Sequence, residues 1–121
     1  MNKYYFDSYA IIEIIKGNPN YELFKDETFV TSTINISEVY YYLINELGEQ
    51  VAESVINKLN FEYLDVTYET ALKTSIFRHK NKKKKLSYIE CLGYNLAINN
   101  NLIFLTGDKE FEHIEKVKFV K

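Results

Sequence analysis

The chain has 121 residues, enough for one domain (1–121) and too few for two, and its 46% hydrophobic and 26% charged residues argue against disorder. A formal net charge of −2 excludes a basic coat, so any nucleic acid must be held by a local patch or through metal ions. The single cysteine, Cys91, rules out an internal disulfide and makes a reducing cytosol the expected compartment. No run approaches the ~18 apolar residues of a membrane span, and Asp7 and Glu13 interrupt the apolar N-terminus, so it does not read as a secretory signal.

Lys3 to Phe6 is short, aromatic and β-prone, and Asp7 follows at once. Ala10, Ile11, Ile14 and Ile15 then recur at helical spacing until Gly17 to Asn20 stop the helix. Phe29 to Ser32 is a weak second strand. Ile36, Val39, Tyr40, Leu43, Ile44 and Leu47 form a continuous helical stripe, ended by Gly48. Val51, Ala52, Val55, Ile56 and Leu59 repeat the pattern, which predicts a helical hairpin. Phe61 to Val66 reads as a third strand, and Thr67 as the N-cap of a helix from Tyr68 to about His79. Asn81 to Lys85 is a basic loop. Ser87 opens a helix with Ile89, Leu92, Gly93, Leu96 and Ala97 on one face. Leu102 to Leu105 is an unbroken apolar run, the mark of a parallel strand buried on both faces. Thr106-Gly107-Asp108 turns out of it, Glu110 to Ile114 gives one helical turn, and Val117 to Val120 a last strand.

Strands alternate with helices throughout, which predicts an α/β fold with a mostly parallel sheet covered on both faces. Sites in such sheets form beyond the carboxyl ends of the strands. Asp7 and Asp108 end strands there, and Glu38 and Glu90 are read in the first turns of helices that start at that edge. Four acids distant in sequence thus converge. Each also has a structural reading. Asp7 and Asp108 suit helix N-caps; Ser87 to Glu90 is a capping box, and Asn35 to Glu38 is a near copy of one.

Together the acids favour a cation. Clustered carboxylates repel one another, and a bound ion removes that cost. Mg²⁺ or Mn²⁺ suits oxygen ligands and phosphate chemistry. No His or Cys pair stands at zinc spacing. His79 and His113 lie outside the acid motifs, and Cys91 reads as a buried core residue. Arg78 and Lys82, Lys83, Lys84 and Lys85 are candidates for RNA phosphate contact, against the plainer reading of a solvated loop. Arg78 also suits a buried ion pair. Tyr40 fits the core stripe, leaving Tyr41 or Tyr42 for a partner surface.

The order of these motifs is familiar. Asp7-Ser8 after a strand, then Ile36-Ser37-Glu38-Val39, then Leu86-Ser87-Tyr88-Ile89-Glu90, then Leu105-Thr106-Gly107-Asp108-Lys109-Glu110-Phe111, resembles the PIN-domain nucleases, in particular the toxin subunits of VapBC-type toxin–antitoxin modules. The resemblance implies a three-layer α/β/α PIN-like fold. It implies Asp7, Glu38, Glu90 and Asp108 as the catalytic, metal-binding set, with Ser8 and Thr106 supporting it and Glu110 as an outer acid. It further implies Mg²⁺- or Mn²⁺-dependent cleavage of RNA, a homodimer and a small antitoxin partner. One departure stands out: the third acid is usually Asp, and here it is Glu90. The alternative is a catalytically weak PIN-like module that binds RNA or protein.

Overall fold

The computed structural model describes residues 2–121. Five strands form one sheet in the order β3-β2-β1-β4-β5: β1 (Tyr4–Phe6), β2 (Phe29–Thr31), β3 (Phe61–Tyr63), β4 (Ile103–Thr106) and β5 (Val117–Phe119). Every pairing is parallel, so the sheet is wholly rather than mostly parallel. Five helices join them: α1 (Ser8–Ile15), α2 (Thr33–Leu47), α3 (Glu49–Asn57), α4 (Tyr68–Lys80) and α5 (Tyr88–Asn99).

Alternation along the short strands sorts the core into two halves. Tyr5, Val30 and Phe104 point to one face, where they pack with Cys91, Tyr94, Leu96 and Ala97 of α5. Phe6, Phe29 and Leu105 point to the other, against Ala10 and Ile11 of α1, Val39 and Leu43 of α2, and Ala52 of α3. The result is a three-layer α/β/α sandwich. Helix α5 lies between the sheet and α4, so it is buried almost all round rather than along one face. Gly93 lets it come close: a Cβ there would meet the Tyr5 ring at 3.0 Å and the Phe104 ring at 3.1 Å.

The chain runs β1-β2-β3 to one side, then crosses to β4-β5 on the other. The direction reverses between β1 and β4, and the crevice of such a sheet opens beyond that point. Asp7 and Thr106 stand there, one residue beyond the Phe6–Leu105 register pair.

Several elements differ from the sequence reading. A 3-10 helix at Pro19–Phe24, with Asn18 as its cap, fills what reads as a plain turn. It buries Tyr21 and Phe24, and Tyr21 donates its hydroxyl to the Val120 carbonyl at 2.5 Å. Strand β3 stops at Tyr63 because Leu64 is the last residue to reach β2 by a backbone bond. Leu47 and Val51 belong to the apolar stripes yet lie exposed at the ends of the α2–α3 hairpin, where the helices turn away at Gly48. Helix α2 starts at Thr33 with Ser32 as its cap, so no capping box spans Asn35 to Glu38, and Glu38 stands in the second turn, not the first.

Candidate active site

Asp7 occupies the N-cap position of α1, but its side chain makes no cap hydrogen bond. The carboxylate turns instead toward β4, where Thr106 Oγ1 donates to Asp7 Oδ2 at 2.7 Å. The Asp7 amide is fixed by the Leu105 carbonyl at 3.1 Å, which holds the residue at the strand end. Thr106 Oγ1 also accepts the Asp108 N–H at 3.1 Å. One hydroxyl therefore ties the two strand-end acids together. Gly107 permits this tight turn: a Cβ there would strike the Tyr9 ring at 2.2 Å and the Val120 carbonyl at 2.5 Å.

Asp7 is 3% exposed. Burial pushes its pKa up to about 7, the Thr106 and Ser8 hydrogen bonds pull it back, and the charges of Glu38 and Asp108 add to the rise. Glu90 is raised too, first by desolvation and then by the Asp108 carboxyl held against it. Glu38 accepts the Ser8 hydroxyl at 2.6 Å. Asp7, Ser8, Tyr9, Glu38, Ser87 and Glu90 line one open cleft of about 330 Å³, and Asp108 meets it through Glu90. Three of the four predicted acids thus line one cleft, and Asp108 stands beside Glu90 at its edge.

Two of the four also carry out the structural work that their motifs suggest. Ser87 and Glu90 form a full capping box: Ser87 N–H donates to Glu90 Oε1 at 2.8 Å, and Glu90 N–H to Ser87 Oγ at 3.1 Å. Asp108 Oδ1 accepts the Glu110 N–H at 2.9 Å and caps a short 3-10 turn, Lys109–Phe111. As they stand, no three His, Cys, Asp or Glu side chains among the described residues are arranged to hold a metal ion.

The donor chemistry nevertheless fits a hard divalent cation. The cleft offers carboxylate and hydroxyl oxygens, with no imidazole or thiol among its lining residues. Among the described residues, no Lys, Arg or His forms an ion pair with any of the four acids. The carboxyls are held by hydroxyl and backbone N–H donors alone, with no basic side chain among the described residues paired to them.

The remaining candidates separate. Glu110 contributes its backbone N–H, not its carboxyl, to Asp108; its Oε1 faces the Lys85 amide at 3.5 Å, and its carbonyl accepts Lys84 Nζ at 3.1 Å. The lysine loop is thus docked beside the Asp108 turn. Arg78 makes no ion pair among the described residues. It lies over the Tyr88 ring at 4.3 Å and donates Nε to the Leu86 carbonyl at 3.2 Å, bracing the loop that leads into Ser87. Tyr40 and Tyr42 are half-buried against the core, whereas Tyr41 is 69% exposed. His79 and His113 are exposed and away from the cleft. Cys91 is fully buried.

One buried polar residue behind the cleft escaped the sequence. Asn35, read as a cap, is fully buried in α2 and bonded to Tyr5, Ser32 and Ser8. The only trace in the sequence is an Asn on the apolar-facing side of a helix, one turn before Glu38.

A wholly parallel three-layer sandwich with an acid cleft at its strand-reversal point defines a class of protein. Within that class the assignment is specific: residues 4–117 match the PIN domain model, and the chain belongs to the PIN domain family. No curated protein matches the sequence. Solved structures with the same fold include a toxin–antitoxin complex from Klebsiella pneumoniae (18% identity, TM-score 0.74, covering 97% of this chain and 96% of that one). A DNA-bound VapBC from Salmonella typhimurium is similar (23% identity, TM-score 0.71, 98% and 97% covered). So is VapC20 from Mycobacterium tuberculosis, a Sarcin-Ricin loop cleaving toxin (12% identity, TM-score 0.76, 98% and 100% covered). Among the described residues, no helix is long and apolar enough to cross a membrane.

Proposed function

We propose that this chain is a Mg²⁺- or Mn²⁺-dependent endoribonuclease of the cytoplasm and the toxin component of a toxin–antitoxin module. The observation that carries the reading is Asp7: an acid at a helix cap position that does not cap, is buried, and faces three more acids with no cation from the protein. Burial of its ionised form is costly, and a bound cation would offset that cost at neutral pH. The likeness to toxin structures lends the toxin role its support.

On this reading Asp7, Glu38, Glu90 and Asp108 would hold the cation, with Ser8 and Thr106 orienting two of the carboxylates. A bound Mg²⁺ or Mn²⁺ supplies Lewis acidity toward the scissile phosphodiester and the attacking water. Hydrolysis adds that water across one P–O bond: one product keeps the phosphate, and the other gains the proton as a hydroxyl. Lys82, Lys83, Lys84 and Lys85, on a loop that Lys84 and Lys85 tie to Glu110 beside the Asp108 turn, hold neighbouring phosphates. Glu110 secures that loop rather than ligating.

The partner surface lies next to the cleft. Ile34, Val66 and Tyr88 are exposed around an apolar groove between α2, α4 and α5, and Leu72 and Ile76 are exposed on α4, whose Ala71, Thr74 and Ser75 line it. Helix α4 carries Glu69 at its start and Arg78, His79 and Lys80 at its end, so antiparallel copies bring opposite charges together. We assign this face to the homodimer; a small antitoxin is the further partner, with Tyr41 a separate exposed contact.

The test is cleavage of an RNA pool by the full chain with Mn²⁺, with Mg²⁺ and with EDTA. Cleavage that persists unchanged in EDTA sinks the metal mechanism. A second reading, a catalytically weak RNA-binding module, is favoured by the engagement of Glu90 in its capping box. RNA binding without cleavage at saturating Mn²⁺ selects it.

A further inference from the structure

We propose that Asn35 is a positioning residue that holds the Ser8 hydroxyl through a buried hydrogen-bond chain and thereby fixes Glu38 for its ligand. This rests on the reading of the cleft as a metal site. The chain runs from Tyr5 through Asn35 and Ser8 to Glu38. Tyr5 Oη donates to Asn35 Oδ1 at 2.5 Å, and Ser32 Oγ donates to the same oxygen at 2.8 Å. Asn35 Nδ2 donates to Ser8 Oγ at 2.8 Å, and Ser8 donates to Glu38 Oε1 at 2.6 Å.

The direction is dictated at the cleft end. A carboxylate only accepts, so Ser8 must spend its one hydrogen on Glu38. The Asn35 carbonyl also lies near that hydroxyl, at 3.4 Å, but is the longer contact. Having given its hydrogen, Ser8 Oγ can only accept from Asn35, so the nitrogen of the amide must face it. That turns Oδ1 toward Tyr5 and Ser32, and both hydroxyls must then donate. Ser32 is free to do so because it accepts the Asn35 N–H at 3.1 Å. No buried side-chain polar atom among the described residues is left without a partner.

Asn35 is therefore the element that converts two donors from β1 and the α2 cap into one donor at the cleft. A Ser8 hydroxyl without Nδ2 beside it is free to turn to the Asn35 carbonyl and release Glu38. Partners behind metal ligands act in this way, and their loss costs metal affinity.

The experiment is a double-mutant cycle on the full chain, read by Mn²⁺ affinity from the EPR signal of free Mn²⁺, with melting curves as the fold check. Asn35→Ala and Ser8→Ala are each expected to weaken Mn²⁺ binding about tenfold, at the low end of outer-shell effects. The double variant should bind about as weakly as either single one, because Asn35 acts through Ser8. Multiplied losses in the double variant, or wild-type affinity in Asn35→Ala, overturn the proposal. A wild-type chain that binds no Mn²⁺ overturns the metal reading itself, and this inference with it. If Asn35→Ala does not fold, Tyr5→Phe replaces it, keeping the ring and removing one donor to Oδ1. Its expected loss is about threefold, the scale of one hydrogen bond, vanishing in the Ser8→Ala background; a loss that stays there refutes the relay.

Discussion

The two walls of the cleft are built differently. On the β1–α2 wall, Asp7, Ser8, Asn35 and Thr106 are buried and bonded side chain to side chain. On the α5 wall, Glu90 and Asp108 lie nearer solvent and are held by backbone N–H groups of their own helix turns. The first wall has no structural reason to carry an acid, since Asp7 caps nothing. The second has one, since both acids cap. An acid that destabilises its surroundings is stronger evidence of function than an acid that stabilises a helix end.

The largest expected effect breaks the first wall. Asp7→Asn should lower metal-dependent RNA cleavage by more than the ~10–100-fold that loss of an outer-shell partner costs. In metal-free protein the same change should raise the melting temperature. The folded-state pKa of about 7 lies above the ordinary 3.8, so the folded chain binds this proton more tightly than the unfolded chain. Stability is then full below the unfolded value and is lost as pH rises toward 7, by on the order of 4 kcal/mol at most. Melting curves in EDTA from about pH 5 to about pH 7.5 should fall for wild type and fall less steeply for Asp7→Asn, in which the raised Glu90 alone still titrates in this range. Equal slopes for the two proteins would contradict the buried-acid account.

Glu90 sharpens the comparison. Gln serves a capping box as well as Glu, so Glu90→Gln should not lower the melting temperature, and should raise it near neutral pH because the Glu90 carboxyl is held protonated by burial and Asp108, while cleavage drops. Glu90→Ala should lose cleavage and about 1 kcal/mol of stability, the usual worth of a cap. Full activity in Glu90→Gln would leave this residue as a cap alone.

Smaller effects lie at the rim. Lys82→Ala with Lys83→Ala should weaken RNA binding and reduce its salt dependence by about one unit of slope per lysine. Arg78→Ala should leave that slope unchanged and cost about 1–2 kcal/mol, from one hydrogen bond and a cation–π contact. A salt slope that falls in Arg78→Ala would move Arg78 to the RNA surface. At the apolar face, Leu72→Glu should shift the chain toward monomer in light scattering; an unchanged mass would point the groove elsewhere.

Periodicity and punctuation made most of the fold readable. Alternating strands and helices required a parallel sheet, because such connections need a crossover. Helix starts at Thr67 and Ser87 followed from cap chemistry, which is local. Strand-end acids followed from the rule that sites lie at that edge. What local chemistry could not decide was where a side chain turns. Asp7 and Asp108 look alike in sequence, yet one reaches across to Thr106 and the other caps its own turn. Glu38 shifted by a turn because Ser32, not Asn35, captured the helix start. Arg78 suited either a phosphate contact or a buried ion pair in sequence, and only the fold set it against Tyr88 and Leu86.

The sequence by itself therefore determined the strand and helix order, the parallel sheet and the set of acids, since each depends on spacing along the chain. Tertiary structure alone decided which acid is buried without a cap, and that Asn35 lies behind Glu38. Those facts depend on the contacts of Asn35 with Tyr5 and Ser8 and of Thr106 with Asp7, partners up to 99 residues apart that meet only when β1, α2 and β4 pack together.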